Sequence, residues 1–222
     1  MSIASNLNKI KFELPSHVKL VAVSKFHLKE SVLCAYNTGQ RVFGESRVQE
    51  LNSKQEELPK DIEWHLIGHL QTNKVKNIVP YIHTIQSVDS WGLLLEINKH
   101  ASKVDRCINC LLEIHIAQED SKYGFTFDQC RQMLEVEDWE SLQHICITGV
   151  MGMASYSDDQ SLIREEFRSL NLFFKELKNK YFGNNDRFSE MSMGMSHDYP
   201  IAIEEGSTII RVGTSIFGER EY

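Results

Sequence analysis

Two cations stand where an ion is costly to keep. Lys25 closes the run Lys19-Leu20-Val21-Ala22-Val23-Ser24-Lys25, whose nearly continuous apolar residues read as a strand buried on both faces. A lysine at such a tip either snorkels to water or sits in a site that lowers its pKa and makes the amine nucleophilic. Arg211 interrupts Ile209-Ile210-Arg211-Val212, sharing a face with Ile209 and Gly213. A guanidinium there needs a buried carboxylate or a ligand atom as partner. Two further stretches, Ser192-Met193-Gly194-Met195-Ser196-His197-Asp198 and Gly213-Thr214-Ser215, supply glycines, hydroxyls and amides at expected strand ends. Such loops bind phosphate without lysines, although ordinary turns and caps use the same residues.

The elements that would position these groups alternate. An N-terminal helix over 3–12 places Ile3, Leu7 and Ile10 at helical spacing and stops at Pro15. Strands are predicted at 19–23, 41–44, 62–68, 82–88, 108–116, 144–149, 188–192 and 208–212. Helices are predicted between them: 28–37 closed by Gly39, 45–58, 71–78, 89–101 capped by Asp89-Ser90, 127–136, a long amphipathic helix, and 200–204 ended by Gly206. In the long helix the stripe Ile163, Phe167, Leu170, Phe174, Leu177 and Tyr181 reads as packing. Eight alternating units imply parallel strands with right-handed crossovers, hence a single-domain (β/α)8 TIM barrel with an extra N-terminal helix, spanning 1–222. An open doubly wound sheet is the runner-up, weakened because no GxGxxG follows the first strand.

Bulk properties narrow the function. A length of 222 residues suits one such barrel, and 41% hydrophobic with 25% charged residues is ordinary for a globular protein. The net charge of −7 argues against a general nucleic-acid or acidic-membrane binder. With no secretory leader pattern and no apolar run long enough for a bilayer, a cytoplasmic location is expected. Five scattered cysteines, an odd number, suit reduced thiols.

In a barrel of this kind the active face is the carboxyl end of the strands, with phosphate held after strands seven and eight. A strand-end lysine, a phosphate cradle and a fixed cation between them match one small molecule, pyridoxal 5′-phosphate (PLP), whose aldehyde forms a Schiff base with lysine. An always-charged arginine facing the pyridine nitrogen would keep it unprotonated and weaken the ring as an electron sink. A barrel enzyme using Lys25 toward a phosphorylated sugar is an alternative that lacks visible colour.

Six segments together resemble the PLP homeostasis protein family, also called the YggS or proline synthetase co-transcribed family. They are Val21-Ala22-Val23-Ser24-Lys25, Phe43-Gly44-Glu45, Trp64-His65-Leu66-Ile67-Gly68-His69-Leu70-Gln71-Thr72-Asn73-Lys74, Gly149-Val150-Met151-Gly152-Met153, Ser192-Met193-Gly194-Met195-Ser196 and the run from Arg211 to Gly218. The resemblance implies an alanine racemase N-terminal-type barrel that binds PLP without an established enzymatic activity and acts in PLP and amino-acid homeostasis. It implies Lys25 as the Schiff-base lysine and Arg211 at the pyridine nitrogen. Ser196, Gly213 and Thr214 would hold the phosphate, with Ser192, Met151 and Asn73 lining or supporting the site. Ser46-Arg47 and His115 depart from the family pattern, which usually has Asn-Tyr and an asparagine there.

A PLP-dependent amino-acid racemase or lyase is the enzyme-class alternative, needing acid–base groups on both faces of the substrate carbon. Tyr123, Tyr156 and Tyr199 fall near expected loops but read as surface or packing residues. Expected partners are PLP and apo PLP-dependent enzymes as recipients. A monomer is expected, because a barrel closes its own core. His65 and His69 straddle a strand-to-loop junction, which favours packing or pocket lining over a metal, so no metal site is expected. Cys107 and Cys110 enter a strand on opposite faces and read as structural. The polar loop 119–124 would lie on the active face as a flap, an anion contact or a solvated turn.

Overall fold

Strand and helix alternate as the apolar pattern demands, and the last strand returns to the first. A computed structural model describes residues 2–119 and 123–219, so Asp120 to Lys122 of the polar loop lie outside the described residues. The chain opens with α1 (Ile3–Glu13), β1 (Lys19–Val23), α2 (Lys29–Asn37), β2 (Val42–Glu45), α3 (Val48–Glu57) and β3 (Glu63–Leu66). A short 3₁₀ turn (Thr72–Lys74) leads into α4 (Val75–Ile78), then β4 (Thr84–Val88), α5 (Trp91–Ser102), β5 (Ile108–Ile114) and α6 (Phe127–Val136). A second 3₁₀ turn (Trp139–Ser141) precedes β6 (Ile145–Gly152), α7 (Gln160–Lys180), β7 (Glu190–Ser192), α8 (Tyr199–Glu204), β8 (Ile209–Val212) and α9 (Thr214–Phe217).

Every strand pairs in parallel with its sequence neighbour, and β8 pairs with β1 through Lys19–Ile209 and Val21–Arg211, closing the barrel. Period-two alternation then splits each strand. Outward residues such as Phe43, Trp64, Leu66 and Ile85 join the helices in the main core. Inward, Val21, Leu111, Met151 and Ile209 form a small separate apolar layer. The remaining interior is polar, with His65, Gln86, Glu113, Ser192 and Arg211 all buried.

The helices start where short polar side chains satisfy free amides. Ser90 accepts from Leu93 N to cap α5, Thr126 and Gln129 make a capping box on α6, and Asp159 accepts from Ser161 and Leu162 to cap α7. Gly39 N–H returns to Tyr36 O at 2.8 Å, closing α2 where expected.

The elements differ from expectation mainly at their ends. The third strand stops at Leu66 rather than residue 68, and the helix expected over 71–78 begins as a 3₁₀ turn. The sixth strand does not end at Gly149 but runs on to Gly152. There the register shifts opposite Cys110 and Leu111, and a Cβ on Gly149 would stand 1.7 Å from Glu190 O, so the glycine admits a close strand approach rather than a turn. In α7 the deeper ring is Phe173, stacked edge-on to Phe127 at 4.8 Å, while Phe174 is half-buried against Phe188. All five cysteines are free thiols, with Cys110 buried and Cys107 exposed.

Candidate functional site

Barrel closure brings the two ends of the sequence together. Because β1 lies beside β8, the residues after β1 face those after β7 and β8 across one cavity of about 450 Å³, a size that suits a small cofactor. Lys25, Ser196, Arg211, Gly213 and Thr214 line it, together with Val23, Ile67, Met153, Tyr156 and His197 among others.

Lys25 sits in a turn that is fixed on both sides. Ser24 N–H continues the ladder to Gly44 O at 3.0 Å, and Ser24 Oγ donates to Glu45 Oε1 at 2.6 Å. Lys54 Nζ, reaching from α3, donates to Ser24 O, Glu45 Oε1 and Glu50 Oε1, each at 2.7 Å. Glu50 Oε1 also accepts from Phe26 N at 2.7 Å, with Phe26 at a φ of 68°. The carbonyl before Lys25 and the amide after it are thus tied to one buried ionic cluster. Burial pushes the Glu45 carboxyl up to about 7 against the pull of Lys54. The departing residue Arg47 finds a use here, its guanidinium lying 4.9 Å above the Phe26 ring.

On the opposite side, Arg211 is buried, donating through Nη1 to Ser192 Oγ at 2.7 Å and through Nη2 to Gly152 O at 3.0 Å. Both acceptors are neutral, so neither is the buried carboxylate that was one of the two expected partners. Burial lowers its pKa to about 10, opposed by Asp198 and Glu113, which leaves it cationic at neutral pH. Ser192 Oγ donates onward to Gln86 Oε1 at 2.7 Å, and Gln86 Nε2 lies 2.7 Å from His65 Nδ1. A polar chain therefore crosses the barrel interior from the cavity toward the strands' amino ends.

The loops after β7 and β8 interlock. Gly213 N–H donates to Ser196 Oγ at 3.2 Å, and Arg211 N–H to Gly194 O at 2.9 Å. Asp198, buried, accepts from Met195 N at 2.5 Å and holds the turn. Gly194 has a φ of 96°, and a Cβ there would come within 2.6 Å of Ala202 Cβ. Thr214 and Ser215 open α9, where the first amides of a helix have no internal acceptor.

Among the described residues the cavity lining holds an amine, a guanidinium, hydroxyls and a glycine amide, but no carboxylate. An acidic protein thus presents a cavity lined by cations, hydroxyls and two imidazoles, His27 and His197, which fits an anionic cofactor carrying an electrophilic carbon.

Of the three further residues expected to line or support the site, none lines the cavity. Ser192 lies beneath the cavity as the support of Arg211. Met151 is buried in the apolar layer inside the barrel, brought there by the longer sixth strand. Asn73 is exposed in the 3₁₀ turn after β3 and does not line the cavity. His115, which stands where the family pattern has an asparagine, directly follows β5 and bonds Glu119 O at 2.9 Å through Nε2. His69 pairs with Asp89 at 2.8 Å and stacks on Tyr123. Tyr156, read from sequence as a surface or packing residue, lines the cavity, as does His197, which belongs to the expected phosphate loop but was given no role of its own; both stand on loops without periodicity, after β6 and β7.

The family model described as alanine racemase, N-terminal domain matches residues 1–221. A pyridoxal phosphate homeostasis protein of Aquifex aeolicus is 39% identical over 205 residues, covering 92% of this chain and 88% of that protein. The Haemophilus influenzae protein of the same name is 34% identical over 236 residues, covering 100% and 98%. PipY of Synechococcus elongatus, solved with PLP bound, is 37% identical with a TM-score of 0.88, over 98% of this chain and 100% of that one. An alanine racemase of Clostridium difficile, 15% identical with a TM-score of 0.75, shares the fold over 56% of its own length. The chain belongs to the alanine racemase N-terminal domain family and, within it, to the pyridoxal phosphate homeostasis proteins.

Proposed function

We propose that this chain binds pyridoxal 5′-phosphate in the cavity between β1, β7 and β8, and that it carries, buffers or regulates the intracellular supply of that cofactor. The observation that carries this reading is a cavity that joins a lysine on a clamped turn, a buried guanidinium and the hydroxyls of Ser196 and Thr214, with no carboxylate among the described lining residues. PLP supplies an aldehyde that condenses reversibly with a primary amine and a ring that absorbs visible light. Lys25 offers the amine as the Schiff-base partner. Ser196 and Thr214 offer hydroxyl hydrogens and Thr214 its amide to the phosphate, while Gly213, its own amide given to Ser196 Oγ, lets the backbone come close. Arg211, cationic at neutral pH, faces the ring nitrogen and disfavours its protonation, while Ser192 holds the guanidinium in place.

The reading extends to the whole chain acting as one PLP-binding unit and as a monomer. It places the protein in a reducing, cytosolic compartment, a reading supported by its five free thiols. No helix among the described residues is long and apolar enough to cross a membrane. Recipients would be apo PLP-dependent enzymes.

The test is transfer. Purified protein loaded with PLP is mixed with an apo PLP-dependent enzyme. The expected outcome is loss of visible absorbance from the donor as the recipient gains activity. A protein that takes up no PLP contradicts the reading. The racemase or lyase alternative rests on Tyr156, which lines the cavity while 87% exposed. Turnover of single-enantiomer amino acids by the purified protein, abolished in Lys25→Ala, would decide for it.

A further inference from the structure

The end of the barrel opposite the cavity carries a cluster that PLP binding does not use. Glu63 and His65 lie two apart on β3 and face the same way, and His83 immediately precedes the neighbouring β4. Their ligating atoms all lie within 4.8 Å of one another, the one such group among the described residues. The two imidazoles are parallel, with ring centroids 5.6 Å apart and planes 4° from each other.

His65 supplies an independent observation. It is fully buried, and its Nε2 has no hydrogen-bond partner, whereas its Nδ1 lies 2.7 Å from Gln86 Nε2. A buried imidazole nitrogen without a partner is an anomaly that calls for one. His83 is prepared in the same sense: its Nδ1 lies 2.8 Å from Thr84 Oγ1, and its Nε2 lies 3.7 Å from Glu63 Oε2. The nearby cations are already engaged. Lys19 Nζ lies 2.8 Å from Glu190 Oε1, and Arg106 donates to Val79 O and Ile82 O. Glu63 has no other ion-pair partner among the described residues than His83.

We propose that Glu63, His65 and His83 bind a divalent cation of the zinc class at the amino-terminal mouth of the barrel. Two imidazoles and one carboxylate are a set that zinc accepts, with a fourth position left to water. Ligands at the usual bond lengths of about 2.0–2.2 Å stand nearer together than 4.8 Å, so the cluster must contract. The half-exposed side chains of Glu63 and His83 can swing inward, while His65 stays fixed. Coordination through Nε2 puts the His65 proton on Nδ1, and the Gln86 amide turns over to accept it. Ser192 Oγ tolerates that rotation because a hydroxyl both donates and accepts. The cation thereby meets the same interior chain that ends on Arg211.

The test uses the full chain, stripped of metal, titrated with Co²⁺ and then with Zn²⁺. The expected result is one equivalent bound, with the weak visible bands of nitrogen and oxygen ligation and no thiolate charge-transfer band. Zn²⁺ displaces it, and affinity falls by more than about tenfold in both His83→Ala and Glu63→Gln. Metal-free melting temperatures report whether these half-exposed substitutions leave the fold intact. Independently of any variant, anomalous diffraction from Zn²⁺-soaked wild-type crystals should give a peak between His65 Nε2, His83 Nε2 and Glu63. No saturable binding, a thiolate band from Cys107 or Cys146, or a peak elsewhere overturns the proposal.

Discussion

Glu113 and Arg211 show how much a single buried ion can set. Glu113 is buried on β5 with Oε2 unpartnered. Burial first, then the like charge of Asp89, raises its carboxyl from 4.5 to about 7, and Arg211 only partly offsets this. The folded state therefore holds a proton that the unfolded chain releases, and the stability it brings is full below about pH 4.5 and lost as pH rises through about 7. In urea denaturation, Glu113→Gln should be more stable than wild type at pH 8 by on the order of 2–3 kcal/mol, and nearly equal at pH 4.5. Arg211→Lys should keep the charge but lose the fork that spans Ser192 and Gly152, lowering PLP affinity about tenfold in equilibrium titration. That Lys25, Arg211, Ser196, Gly213 and Thr214 would share one end of the barrel, where they line one cavity, was legible because each stands in or just beyond an apolar strand whose pattern shows its direction. Asn73 was not, since the turn it occupies points it to solvent. Lys54 was also missed: it meets Ser24 thirty residues earlier in the chain, and no local pattern signals that encounter.

Elements matter here chiefly as clamps. The α3 lysine, Lys54, holds the β1 exit through Ser24 O and the β2 exit through Glu45. Lys54→Met should destabilise the fold by on the order of 3–5 kcal/mol, because it strands a buried carboxylate. Adding Glu45→Gln should recover part of that loss, and thermal melts of the single and double variants measure the coupling. Gly194→Ala should weaken PLP binding more than it lowers the melting temperature, since the added carbon pushes the β7 loop away from α8. One boundary that sequence missed, the end of β6, has a clear cause. A glycine reads locally as a turn, yet Gly149 lies inside β6, because only the neighbouring strand, distant in sequence, shows that the space is needed.

At the scale of the molecule, the barrel's closure is what makes a site from residues 25 and 196–214. The alternation of eight apolar runs was enough to read that closure, whereas the polar interior was not, because a buried His65, Gln86 or Glu113 looks like a surface residue in a one-dimensional pattern. A ligand that bridges the first and last strands should stabilise the whole fold, and PLP at about a hundred times its Kd should add about 2.7 kcal/mol by linkage. Urea titrations with and without PLP read this directly, and Lys25→Ala should lose most of the gain.

The central claim is that one particular nitrogen bonds the cofactor. Borohydride reduction of the PLP-loaded protein, followed by peptide mapping, tests it most directly. The expected result is a single pyridoxyl adduct on Lys25, absent from Lys25→Ala. An adduct on another lysine with Lys25 unmodified, or none at all, would contradict the assignment.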